Sequence, residues 1–286
     1  MSVCGLGYKI GSVGKVYPIQ SASMLSLFGF VVFGILGLWK QQSMPWSVFC
    51  VAAVMGFTQY AGIRLMRKAL QTGPFSPVWC AVSLAFVPVI VYSAIALKET
   101  LSLWKILSIL ATAGAIVSAS FSANDPGGPK ADGIRKKMLY GMMLVLLLGL
   151  ISLCSVGLKF CDNWFLNGSE ESVLSQSGDL VLSVLYFFMG VPCALDLSLS
   201  RTWRWNRQAW IGGCLLTGGA LVQFALLKHF IALPAMILFA MSYSTSILLT
   251  TLVSTIFYHE KRTLSWYLTL GCSVLAILLN SVPVQK

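Results

Sequence analysis

Charge is the first thing this sequence is short of. Asp, Glu, Lys and Arg make up 10% of its 286 residues, where an ordinary soluble domain carries about 25%. So few charges cannot cover a soluble surface of that size, which excludes a typical soluble enzyme, a disordered chain and a collagen-like fibre. Histidine is nearly missing: only His229 and His259 occur, both at the ends of apolar runs. His259-Glu260-Lys261-Arg262-Thr263 opens like the zinc signature H-E-x-x-H but has Thr in the fifth place, so the zinc reading fails. The eight cysteines form no C-x-x-C pair, and most lie inside apolar runs, where Cys behaves as a small hydrophobe. No disulfide framework, metal centre or cofactor is expected. No carboxylate falls near the middle of any apolar run. An intramembrane enzyme lacks its base or metal cluster here. A buried proton relay is missing too, which tilts the reading toward facilitated diffusion or exchange.

Long apolar runs are what the chain has instead. Hydrophobic residues reach 57%, and the mean hydropathy is +0.81. Crossing the hydrocarbon core takes roughly 20 apolar residues. Runs of that length stand at about 20–38, 46–63, 77–97, 103–122, 138–159, 178–196, 209–227, 231–257 and 265–283, nine full spans. Each is expected to be helical, because an isolated span must satisfy its own backbone hydrogen bonds. The fold class is therefore all-α, a polytopic helical membrane protein. A β-barrel needs short alternating strands, and these runs are too long and too uniformly apolar.

The Pro/Gly-rich segment 123–137 reads as a linker between two halves, 1–122 and 138–286. Three stretches match across it in the same order. Ser2-Val-Cys4-Gly-Leu-Gly7-Tyr-Lys9 resembles Ser152-Leu-Cys154-Ser-Val-Gly157-Leu-Lys159. Gln59-Tyr60-Ala61 with Arg64 matches Gln223-Phe224-Ala225 with Lys228, and Glu99 before Leu101-Ser102 matches Glu260 before Leu264-Ser265. The offset drifts only from 150 to 164. In this register residues 1–10 read as the tail of a helix whose first dozen or so residues are absent. The design is thus five helices plus five, the first one truncated. An odd number of helices per repeat inverts one half relative to the other, a hallmark of alternating-access transporters.

Sorting Lys and Arg by side puts fourteen on one face and six on the other. The positive-inside rule makes the richer face, which includes Arg64, Arg67, Lys68 and Arg135-Lys136-Lys137, cytoplasmic. The C-terminus and the acidic loop with Asp162, Glu170 and Glu171 then face outward. No basic stripe with interleaved aromatics occurs, so nucleic acid is not an expected partner.

The stretch Arg64 to Ser120, with Ala69-Leu70-Gln71-Thr72-Gly73-Pro74, Pro88 and Lys98-Glu99-Thr100-Leu101-Ser102 before an apolar helix, resembles one half of an EamA-like permease of the drug/metabolite transporter (DMT) superfamily. The stretch Leu226 to Asn280 resembles the second half. The resemblance implies ten helices around a central cavity, with the last helix of each half at the periphery, and movement of a small organic solute. The shortened first helix is the departure.

Candidate solute contacts follow from polar groups inside spans. Gln59 and Gln223 come first, since an amide in the membrane needs protein or a water-filled cavity beside it; packing between helices is the competing use. Tyr60 adjoins Gln59. Ser242, Tyr243 and Ser246 belong to a polar run in an otherwise apolar span. Lys9 and Lys159 end the first helix of each half, where they attract a substrate anion or snorkel to headgroups. Glu99 and Glu260 suit helix N-termini electrostatically. The expected protein is a multi-pass secondary transporter of the plasma or inner membrane. Its expected partners are lipid and a small-molecule solute. The small-residue run Ala111–Ala115 permits close contact within one chain or in a homodimer. A non-transporting membrane subunit, or an inactive truncated transporter homologue, is the alternative.

Overall fold

The computed structural model describes residues 18–72, 84–96, 102–122, 134–164, 173–200 and 264–281, with isolated positions between 78 and 98 and between 207 and 245. Among these residues every regular element is an α-helix and none is a strand. In chain order they are α1 (Pro18–Trp39), α2 (Trp46–Thr72), α3 (Phe86–Ala96), α4 (Leu103–Ser122), α5 (Ile134–Trp164), α6 (Val173–Ser200) and α7 (Leu264–Ser281). Among the described residues four stretches are long and apolar enough to cross a membrane: Ile19–Trp39, Trp46–Thr72, Met138–Gly157 and Ser177–Ser200.

The distribution of side chains is the reverse of a soluble protein's. Leu38, Trp39, Ile95, Val145 and Leu199 are largely exposed, while Gln20, Ser21, Ser26, Ser108, Thr112, Asp179 and Ser273 are buried. That is the arrangement expected where hydrocarbon replaces water outside the protein. Association between helices then relies on small residues and interhelical hydrogen bonds rather than on hiding apolar area.

The chain divides into two compact units, and each draws on both halves of the sequence. One contains α1, most of α2, the end of α5 from Leu153, and α6. Its centre is α6, docked into the α1–α2 hairpin. Partners along α1 recede along α6 as the chain advances. Ser26 lies against Gly190, Gly29 against the Tyr186 ring, Gly34 against Ser183 and Gly37 against Leu180. The two helices are therefore antiparallel, and they meet middle to middle at Gly29 and Tyr186. Glycine is required here because a Cβ on Gly29 would sit 2.6 Å from the Tyr186 ring. Helix α2 runs parallel to α6, with Val48 beside Val181, Gly56 against the Leu185 carbonyl, and Arg64 near Asp196.

Both ends of α6 carry an aspartate, and each is paired. Asp179, almost fully buried, accepts from Lys40 at 2.6 Å and from Gln42 Nε2 at 2.9 Å. Gln42 in turn accepts from the Leu180 N–H at 3.2 Å. Gln42 reaches this corner because α1 ends in a left-handed cap. Gln41 has φ 50°, its N–H donates to Leu38 and that of Gln42 to Gly37, both at 3.0 Å. At the far end Arg64 Nε lies 3.8 Å from Asp196. No charge intervenes between the two aspartates. Seventeen residues of helix separate them, about 26 Å at 1.5 Å per residue and close to the hydrocarbon thickness.

The other unit contains α3, α4, the start of α5 and α7. Helices α4 and α7 are also antiparallel and also meet near their middles. The Ser108 hydroxyl donates to the Ala276 carbonyl at 2.9 Å, and Gly114 faces Cys272.

The sequence reading of 77–97 as one continuous span needs amendment. A turn stands at Leu84–Ala85, closed by Ala85 N–H to Val82 at 3.4 Å and Val87 N–H to Leu84 at 2.9 Å. Pro88 explains it: its ring excludes the carbonyl four residues back, which is Leu84, and it offers no N–H. Helix α2 differs the other way, continuing nine residues past the expected end at 63.

Candidate functional site

Helix α2 buries a stripe of Val48, Ala52, Met55, Ile63 and Met66. At 100° per residue that stripe centres on Gln59, which is also the midpoint of the helix. That places Gln59 on the buried side of α2. Its Oε1 is buried and has no hydrogen-bond partner among the described residues. An unpaired buried acceptor costs about 1–3 kcal/mol.

Tyr60 points elsewhere. It is about 100° further round α2 and flanks an apolar cluster of Ile19, Ala22, Ile63, Met189, Cys193 and Leu197, together with Tyr186. Arg64, one turn on, lies against Tyr60 and Asp196. Gln59 and Tyr60 are therefore neighbours in sequence on different faces of the helix. Arg64 entered the sequence reading only through the repeat and the basic face; Asp196, its partner here, did not enter it.

A second place with chemistry lies in the other unit. The Ser152 hydroxyl, buried on α5, approaches the Ala85 carbonyl at 3.0 Å and the Leu148 carbonyl at 2.7 Å. Irregular backbone at membrane depth is tolerated only where protein covers it or it lines a cavity. In transporters such interrupted helices mark solute and ion sites. Ser152 had entered the sequence reading only as a member of the repeat; Pro88 was the signal for the break beside it. Gln20, wholly buried near the start of α1, was also passed over.

An apolar groove of about 380 Å³ runs between α2 and the end of α5, lined by Cys50, Val54, Met55, Leu153 and Gly157 among others. Its one hydroxyl, on Thr58, is spent on the Val54 carbonyl at 2.8 Å. The groove offers nothing to a polar solute. Among the described residues no group of His, Cys, Asp or Glu is arranged to hold a metal ion.

Gln223, Ser242, Tyr243, Ser246 and Lys9 lie outside the described residues. Lys159 belongs to α5, but its side chain is outside them as well.

No family model and no curated protein matches the sequence significantly. Nineteen chains of solved structures do match. One of them, a protein known by its crystal structure, aligns with a TM-score of 0.71 over 98% of this chain and 92% of its own, at 17% identity. At that identity the likeness is one of fold alone.

Proposed function

We propose that the chain is a multi-pass secondary transporter of the plasma or inner membrane, built as two inverted five-helix repeats in the manner of an EamA-like permease. It moves a small organic solute by alternating access. The observation that carries this reading is the composition of the two compact units. Each pairs helices from opposite halves of the sequence, α1 with α6 and α4 with α7, antiparallel and crossing at their middles. In the repeat register these are equivalent helices: 20–38 corresponds to 178–196, and 103–122 to 265–283. A two-fold relation in the membrane plane produces that crossing, and inverted repeats of this kind place a solute site near the bilayer centre. Gln59, the candidate for that site, lies within a span, five residues before the basic end at Arg64. On this reading Gln59 accepts a hydrogen bond from the solute.

The test is counterflow in proteoliposomes with labelled amino acids, sugars, nucleosides and cationic drugs. Saturable accumulation of one compound, reduced at least tenfold by Gln59→Ala, is the expected result. A folded protein that accumulates none of them favours a non-transporting membrane subunit.

A further inference from the structure

Helix α2 outlasts its apolar part and ends only at Thr72. Ile63, Met66 and Ala69 keep one side of this extension buried against protein. The rest of it carries Arg64, Arg67 and Lys68. From Trp46, the first residue of α2, to Arg64 is about 27 Å, and to Lys68 about 33 Å, at 1.5 Å per residue. The hydrocarbon core is about 30 Å thick. The three cations are therefore fixed by one helix at the depth where the headgroups begin.

Like charges three and four residues apart on a helix are neighbours and repel one another. The helix macrodipole does not account for their presence. Its effect is confined to the final turn, and the last turn of α2 holds no basic residue. The sequence adds charge at the same end. Helix α6 ends there at Ser200, and the chain goes on through Arg201, Arg204 and Arg207 with Trp203 and Trp205 between them. Arg and Trp together are a composition of the membrane interface.

Arg64 is held in place for a ligand. It donates to the Tyr60 hydroxyl and lies 3.8 Å from Asp196, yet 58% of its side chain is exposed. An anchored guanidinium with an open side presents a fork that matches phosphate oxygens. Lys68, one turn on and exposed, adds an ammonium beside it. Toward the bilayer centre the same stripe turns apolar. Phe57, Ala61, Arg64 and Lys68 fall within an arc of about 60° around α2, and Phe57 is 49% exposed. Charge at the headgroup level with an apolar track beneath it matches the two parts of a phospholipid.

We propose that Arg64, Arg67 and Lys68 form a site for an anionic phospholipid of the leaflet at the basic ends of the helices. Its phosphate is held by Arg64 and Lys68, Arg67 adds to the field, and one acyl chain lies over Ala61 and Phe57. This goes beyond the transport reading and needs only that α2 spans a membrane.

The test places the photoreactive p-benzoylphenylalanine at Phe57, an aromatic group for an aromatic group. The full chain is reconstituted in vesicles of equal phosphatidylglycerol and phosphatidylcholine with identical acyl chains. It is then irradiated, and lipid adducts are weighed by mass spectrometry. The expected result is at least threefold more phosphatidylglycerol adduct than phosphatidylcholine adduct. With the photoreactive group at Trp46 instead, at the other end of α2, the ratio is expected near one. Arg64→Gln, Arg67→Gln and Lys68→Gln together should bring the Phe57 ratio near one, and exposed Lys68→Gln alone should at least halve it. Arg135→Gln, Lys136→Gln and Lys137→Gln together remove the same charge elsewhere and should leave the ratio unchanged. Excess glycerol phosphate should leave it unchanged as well. Equal adducts in the parent overturn the site, as does a ratio unmoved by Lys68→Gln. A preference at Trp46 equal to that at Phe57, or an equal loss in the 135–137 variant, reduces the effect to bulk charge and overturns the site too. Loss of the preference in glycerol phosphate assigns the cations to a soluble phosphate and overturns the lipid.

Discussion

Gly56→Ala is the sharpest test of how closely α2 and α6 approach. A Cβ built on Gly56 falls 2.5 Å from the Leu185 oxygen, 2.8 Å from the Phe188 Cβ and 3.1 Å from the Met189 nitrogen. Two of these three atoms are backbone of α6, so no side chain can swing aside. A carbon–oxygen contact of this kind settles at about 3.3 Å or more, so the helices must part by roughly 0.8 Å. A gap of that size forfeits a quarter to a half of the dispersion energy of the atoms beside it. Overpacking typically costs about 1–3 kcal/mol. Alanine also favours helix over glycine by about 1 kcal/mol, which blurs a single comparison. Gly149→Ala on α5 removes the blur, because nothing lies within 4 Å of its Cβ position. The propensity gain is common to both variants, and their difference isolates the clash. Using the soluble-protein scale of about 2–4 °C per kcal/mol, Gly56→Ala should melt roughly 2–12 °C below Gly149→Ala in detergent. A Gly56→Ala protein that melts at or above the Gly149→Ala protein would refute the close approach.

Other expectations follow from the polar interior. Gln59→Leu removes a buried acceptor that has no partner among the described residues, so it is expected to raise stability by about 1–3 kcal/mol while counterflow falls at least tenfold; thermal melting and flux on one preparation check both signs. Lys40→Gln should cost about 1.5 kcal/mol or more because it strips a charge-assisted bond from buried Asp179, whereas Arg64→Gln should cost less than about 1 kcal/mol; the two melting curves rank them. Ser108→Ala should cost about 0.6 kcal/mol, an average interhelical hydrogen bond in a membrane. A double-mutant cycle pairing Ser108→Ala with Ala276→Pro is unsuitable, since proline breaks α7 itself, so the measurement is the single-variant shift.

Helices announced themselves in the sequence wherever length and hydropathy decide the matter. The run 20–38 became Pro18–Trp39, and 103–122 became Leu103–Ser122. The end of α2 was missed because the helix outlasts its apolar part, and Arg64, Arg67 and Lys68 look like a loop to a hydropathy argument. The break at Leu84–Ala85 was missed because apolar residues continue through it; only Pro88 marked the place. Gln59 was legible as an amide in a span. That its oxygen finds no partner among the described residues was not, because pairing depends on which helices surround it. The corner of Lys40, Gln42 and Asp179 was hidden for the same reason: its members are 137 to 139 residues apart, and no local pattern connects them.

That separation also sets a schedule for biogenesis. Helices α1 and α2 leave the ribosome long before α6 exists. At about 5–20 residues per second, the 139 residues between Lys40 and Asp179 take roughly 7–28 s to synthesise. Through that interval Lys40 waits without its carboxylate, and the glycine-lined face of α1 meets lipid or an insertion factor instead of α6. Neither compact unit can close from a nascent first half alone, so quality control in the membrane must tolerate a half-made hairpin and judge the protein only after its second half arrives.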